Sequence, residues 1–259
     1  MIFKNVYEIV LVTLPMDFNY RKISHIAAFL AVLFAIFAII GYPILSFFGF
    51  FLTTTDLELT EDMMLINSLI TVLILVGTPL IWYKLVNKFR LKDSSHNLKL
   101  SGEDIDAAFL WGILAAIAMM VIILGFSSII YAIGIDQTDM SNLPDLLKYL
   151  SPISMCFIIV VQSTSEEIFF RGFLFEKINI FAGETIAIVS TAILFGMAHM
   201  AYGKIYPVLM PMLMGLVLGY IVVKTKSLYS AITAHIAFNL ISFIMYLLAN
   251  SLNVQALIL

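Results

Sequence analysis

An all-α, polytopic helical membrane protein is the class this sequence predicts, on three observations. The 259 residues are 62% hydrophobic and only 12% charged, with a mean hydropathy of +1.04. A soluble domain carries about 25% charged residues and could not solvate such a surface. The apolar residues fall into long runs separated by short polar segments. The cations also cluster: setting Arg171 aside, all other Lys and Arg except Lys148 and Lys204 fall in segments that alternate along the chain. By the positive-inside rule this places the N-terminus in the cytoplasm and gives seven transmembrane helices, or eight if residues 5–20 also cross.

Residues 1–23 mix apolar side chains with Lys4, Glu8, Asp17, Arg21 and Lys22, and Pro15 breaks the run. They predict an interfacial helix on the cytoplasmic side. The first span is expected at 26–52, tilted or kinked near Pro43, and the second at 63–86 after an acidic loop. Residues 87–106 are the one long hydrophilic stretch and read as a cytoplasmic loop; the third span follows at 107–133. A second acidic loop, 134–148, leads into a fourth span from Tyr149 to about 177–179. Gly183 punctuates a turn before the fifth span, 184–201. The sixth, 205–223, opens with Pro207 and Pro211 and carries Gly215 and Gly219 in a GxxxG pattern that permits close helix approach. The seventh is expected at 228–249. The reading is one integrated membrane domain in two parts, 1–145 with the interfacial helix and three spans, and 146–250 with the functional helices. Cys156, the single cysteine, excludes an intrachain disulfide and reads as a buried, inert thiol. His25 and His96 read as surface histidines.

The stretch that demands a reason is Gln162–Glu176, QSTSEEIFFRGFLFE. A charge near a helix centre costs about 2.5–3.5 kcal/mol, yet Glu166, Glu167 and Arg171 fall within six positions. Glu167 and Arg171 share a face at i, i+4 and can pair, while Glu166 lies roughly 100° away and lacks that partner. Further on, Phe195 and His199 stand one turn apart, as do His235 and Asn239. Counted from the cytoplasmic ends, Glu166, His199, His235 and Asn239 lie at similar depths, roughly 11–22 Å.

EExxxR, FxxxH and HxxxN, in this order on consecutive membrane helices, resemble the CPBP family of intramembrane proteases. That family groups type II CAAX prenyl endopeptidases with Abi and bacteriocin self-immunity proteins. The likeness covers roughly 145–250. It implies a conical catalytic helix bundle, with Glu166, His199, His235 and Asn239 as catalytic residues and Glu167, Arg171 and Phe195 as supporting motif residues. The small size is similar to that of bacterial members, so a bacterial cell membrane is the implied location.

The residues allow that chemistry. Glu166, a carboxylate in an apolar cleft, is a credible general base near neutral pH. His199 can hold the same water, and His235 with Asn239 can donate to a developing oxyanion. Two histidines with one or two glutamates could bind Zn2+, which makes Glu166, His199 and His235 the candidate metal ligands, although HExxH is absent. Gln162, Ser163, Thr164 and Ser165 read as groups that hydrate the cleft or bond to neighbouring helices. Phe195 reads as a packing residue that orients its neighbours. The leading expectation is an endopeptidase that cleaves a membrane-associated protein or peptide, with a cleft open to the cytoplasm. The alternative is a non-catalytic membrane scaffold or bacteriocin-immunity protein that binds a partner such as a sensor kinase or a toxin. No nucleic-acid-binding patch is present in the sequence.

Overall fold

A computed structural model describes residues 18–50, 60–100, 104–134, 146–203 and 205–251. Every regular element among them is helical: α1 (Ile23–Phe47), α2 (Glu61–Asn87), α3 (Leu91–Asn97), α4 (Ile105–Ala132), α5 (Pro152–Ala182), α6 (Glu184–Met197), α7 (Tyr206–Thr225) and α8 (Leu228–Ser251). Six of these are long and apolar enough to cross a membrane, and α6 is apolar but shorter, so the chain is an integral membrane protein. The seven expected spans correspond to these seven apolar helices. The interfacial helix, through residue 17, and most of both acidic loops lie outside the described residues. Within the hydrophilic stretch, α3 forms a short helix whose end tucks Leu98 into the core.

Local chemistry sets the helix ends. The Thr60 hydroxyl accepts the Met63 N–H at 3.3 Å, and Glu61 and Asp62 occupy the first turn of α2, where a carboxylate favours the helix dipole. At the start of α5, Ser151 caps Ser154 and Pro152 stands where a missing N–H costs nothing. The Glu61 carboxylate accepts the Ser151 N–H at 3.0 Å, tying the starts of α2 and α5 together. Gly183, at φ +83°, turns the chain from α5 into α6. Near Pro43, where a tilt or kink was expected, α1 carries a π-helical segment, Phe37–Gly41.

The helices pack with α1 against α2, α2 and α8 against α5, α4 against α8, and α6 against α7. The GxxxG pair sits in this last seam. A Cβ at Gly215 would lie 2.8 Å from the Ala192 Cα, and one at Gly219 would lie 3.2 Å from Ile188. Outward faces carry exposed Phe29, Phe34, Leu73, Val121 and Phe157, which suits contact with lipid. Cys156 is on that lipid-facing surface and not buried as expected. An apolar run does not distinguish the face toward lipid from the face toward protein. His25 departs the other way: it is 1% exposed, its Nδ1 accepts the Asn19 N–H at 3.0 Å, and the Phe18 ring packs beside it. His96 is exposed, as expected.

Candidate active site

The glutamate pair sits at a change of helical geometry. The α-helical part of α5 ends at Glu167, and a π-helical segment, Ile168–Leu174, begins at once. Such wide turns inside helices recur at functional sites. Both glutamates and Arg171 are buried.

Glu167 and Arg171 form the expected ion pair, with Nη1 donating to Oε1 at 2.9 Å and both side chains fully enclosed. The pair does more than cancel two charges, because His235 Nδ1 lies 2.8 Å from the same Oε1. A carboxylate only accepts, so the Nδ1 proton of His235 is held by Glu167. The opposite ring nitrogen, Nε2, lies 3.8 Å from Glu166 Oε2. Glu166 is therefore not without polar neighbours: its other oxygen accepts from Gln162 Nε2 at 3.2 Å, and Gln162 in turn accepts from Ser68 on α2.

His199 departs from its expected setting. It stands in the turn after α6, not inside the helix, with φ −93° and ψ 3°. Its Nδ1 lies 2.8 Å from the Phe195 carbonyl oxygen. That carbonyl fixes the proton on Nδ1 and leaves Nε2 of the neutral ring as an acceptor. Asn239, one turn beyond His235 on α8, donates from Nδ2 to Ser163 Oγ at 3.1 Å.

Phe195 is the packing hub. Its ring meets Phe170, His199 and His235 edge-on at centroid distances of 5.2, 5.0 and 5.7 Å. The Arg171 guanidinium lies over the same ring, 4.3 Å from its centroid. A desolvated cation on an aromatic face gains about 2 kcal/mol, which offsets part of the burial of Arg171.

Glu166, His199, His235 and Asn239 all line one cavity of about 670 Å³, together with Gln162 and Ser163. Glu167 and Arg171 are not part of its wall and lie behind it. The N-terminal helices also contribute to the wall, through Asn67, Ser68 and Thr71 of α2 and Met120 and Ser127 of α4. Sequence reasoning drew nothing from these positions. Their one signal was the polar spacing of Asn67, Ser68 and Thr71 within an apolar run.

The position of the cavity corrects one expectation. Its wall uses the first half of α2, the second half of α4, the first half of α5 and of α7, and residues 235–246 of α8. All of these point to the end of the bundle where segments 48–60 and 133–151 join the helices. The cleft thus lies away from the basic ends of the helices, not toward them.

Residues 149–241 match the family model of the type II CAAX prenyl endopeptidases, described as Rce1-like. Over these residues the chain is similar to the CAAX-type proteases of the CPBP group, as the three motifs led one to expect. The matched residues run from the start of α5 into α8 and contain all four cavity residues. No curated protein and no solved structure matches the chain. The family is one of intramembrane proteases, which sit in lipid and act on membrane-associated substrates.

The donor set was also weighed as a metal site. Among the described residues, no group of three His, Cys, Asp or Glu is arranged to hold a metal ion. His235 Nδ1 is held by Glu167 and His199 Nδ1 by a carbonyl, which leaves Nε2 of each ring as the remaining nitrogen. Glu166, His199 and His235 do not stand close enough together to form such a group in this arrangement.

Proposed function

We propose that this chain is an intramembrane endopeptidase of a bacterial cell membrane, in which Glu166 and His199 activate a water molecule directly. The observation that carries the reading is the convergence of Glu166, His199, His235 and Asn239, from α5, the turn after α6, and α8, on one cavity wall.

Glu166 accepts a proton from the water, and the water oxygen attacks the scissile carbonyl carbon. His199 Nε2 accepts the second water hydrogen and so orients a lone pair at that carbon. As the tetrahedral intermediate forms, its oxyanion takes hydrogen bonds from Asn239 Nδ2 and from His235 Nε2 in the imidazolium state. Fixed donors of this kind are each worth about 3–4 kcal/mol in the transition state. Glu166 then passes its proton to the leaving amine, the C–N bond breaks, and the carboxylate is restored. Glu167 and Arg171 act on His235 alone: the carboxylate holds the Nδ1 proton and so fixes the ring with Nε2 toward Glu166, and Arg171 neutralises the carboxylate.

The test uses the purified chain in lipid with a membrane-tethered peptide. His199→Ala and Asn239→Ala should each fold, bind the peptide with little change, and lower kcat. Cleavage at parental kcat in both would remove these two residues from the mechanism.

A further inference from the structure

We infer that Ser68 of α2, acting through Gln162, is a positioning residue for Glu166: it holds the Gln162 amide so that one carboxylate oxygen is bonded and the other is turned to the reacting water. This role rests on the reading of Glu166 as general base; the geometry beneath it does not.

The chain of bonds starts at the carboxylate. An ionised carboxylate only accepts, so the group that meets Glu166 Oε1 at 3.2 Å is the Gln162 amide nitrogen, Nε2. The amide oxygen of Gln162 then points the other way, where it takes the Ser68 hydroxyl proton at 3.2 Å. Turned over, the same amide would set its oxygen against the carboxylate and repel it. The Ser68 hydroxyl gives that oxygen a donor in the productive orientation.

The arrangement sorts the two oxygens of Glu166. Oε1 is engaged by Gln162, whereas Oε2 lies 3.8 Å from His235 Nε2. Oε2 is therefore the oxygen on the side of His235, and it is the one that takes the water proton. A carboxylate free to rotate would present either oxygen.

The seam that carries this relay is tied twice. α2 packs against α5, and at their starts the Glu61 carboxylate accepts the Ser151 N–H at 3.0 Å. Ser68 stands seven residues beyond Glu61 and Gln162 eleven beyond Ser151. Both spacings are whole numbers of helical turns to within about 20°, so the two ties lie along one line of each helix. Ser68, Gln162 and Glu166 all line the cavity. An interhelical bond that served packing alone could end at Gln162; this one continues to the reacting carboxylate. Ser68 lies outside the matched residues 149–241, so the N-terminal helices contribute to the chemistry as well as to the wall.

The experiment measures kcat, KM and the melting temperature of the purified chain in lipid, with a membrane-tethered peptide that the parent cleaves. Ser68→Ala should lower kcat about 2–10-fold with KM little changed, and Gln162→Leu should lower it about 10–100-fold. In the Gln162→Leu background, Ser68→Ala should cost nothing more, because the link is already cut. Ser68→Thr should recover most of the kcat that Ser68→Val, equal in shape but without the hydroxyl, loses. Losses that multiply in the double variant would overturn the inference, since Ser68 would then not act through Gln162. So would a parental kcat in Ser68→Ala, or a raised KM at unchanged kcat, which would make Ser68 a substrate contact. Equal impairment of Ser68→Thr and Ser68→Val would reduce Ser68 to packing. The reading of Glu166 fails separately: Glu166→Gln cleaving at the parental rate removes the base, whereas an inactive Glu166→Gln beside a parental Ser68→Ala removes the relay alone.

Discussion

His235 Nδ1 and Arg171 Nη1 converge on a single oxygen of Glu167, at 2.8 and 2.9 Å. One carboxylate oxygen therefore couples α8 to the π-helical segment of α5 and sets which nitrogen of His235 faces Glu166. The neighbouring glutamates differ in kind: Glu167 is fully enclosed and structural, whereas Glu166 lines the cavity.

This division predicts opposite stability effects. Removing one partner of a buried ion pair typically costs about 3–5 kcal/mol, so Glu167→Ala and Arg171→Ala should each lower the melting temperature and the yield. The double variant should recover part of that loss and not all of it, because His235 still lacks its acceptor. Glu166→Ala should melt at or above the parental temperature. Thermal melts of the four variants in one detergent check this, and a Glu166→Ala less stable than Glu167→Ala would reverse the assignment.

Phe195→Leu removes the ring under Arg171 and the edge contacts to both histidines. It should cost about 2 kcal/mol in stability and lower kcat more than it raises KM, because the histidines lose their orientation. Kinetics on the purified variant, at a temperature well below its melting point, separate the two effects.

Much of this site was legible in the sequence, for a physical reason. Charged and polar residues inside apolar runs are costly, so those that persist stand out, and helical periodicity pairs Glu167 with Arg171. The shared use of Glu167 by His235 was not legible, since it depends on the approach of α5 and α8, 68 residues apart. Cys156 and His25 were misjudged because local sequence does not say which face of a membrane helix meets protein. The end of the bundle on which the cleft lies was hidden for a similar reason. Depth along a helix can be counted from either end, and only the packing of α2, α4, α7 and α8 decides which half is hollow.

Gly215 offers a test of the packing behind the site. An added methyl would press on the Ala192 Cα at 2.8 Å and lie 3.1 Å from Arg171 Nη2. Gly215→Ala should force α6 from α7, cost about 1–3 kcal/mol, and reduce activity through Arg171. Melting and cleavage measured together check it; an unchanged melting temperature would mean that the seam yields freely.

The proposed water activation by Glu166 and His199 needs no bound ion. Dialysis against a strong chelator should leave the cleavage rate unchanged, with elemental analysis verifying that Zn2+ is absent. Loss of cleavage restored by added Zn2+ would transfer water activation to a metal.

The central claim is that Glu166 is the general base, and the most direct measurement compares parent and Glu166→Gln in lipid with one cleavable peptide. Glutamine keeps the shape and a hydrogen bond to Gln162 but cannot take a proton. The account predicts a fall in kcat of about 10²–10⁴-fold with peptide binding and melting temperature preserved. A Glu166→Gln enzyme that cleaves at the parental rate would contradict it.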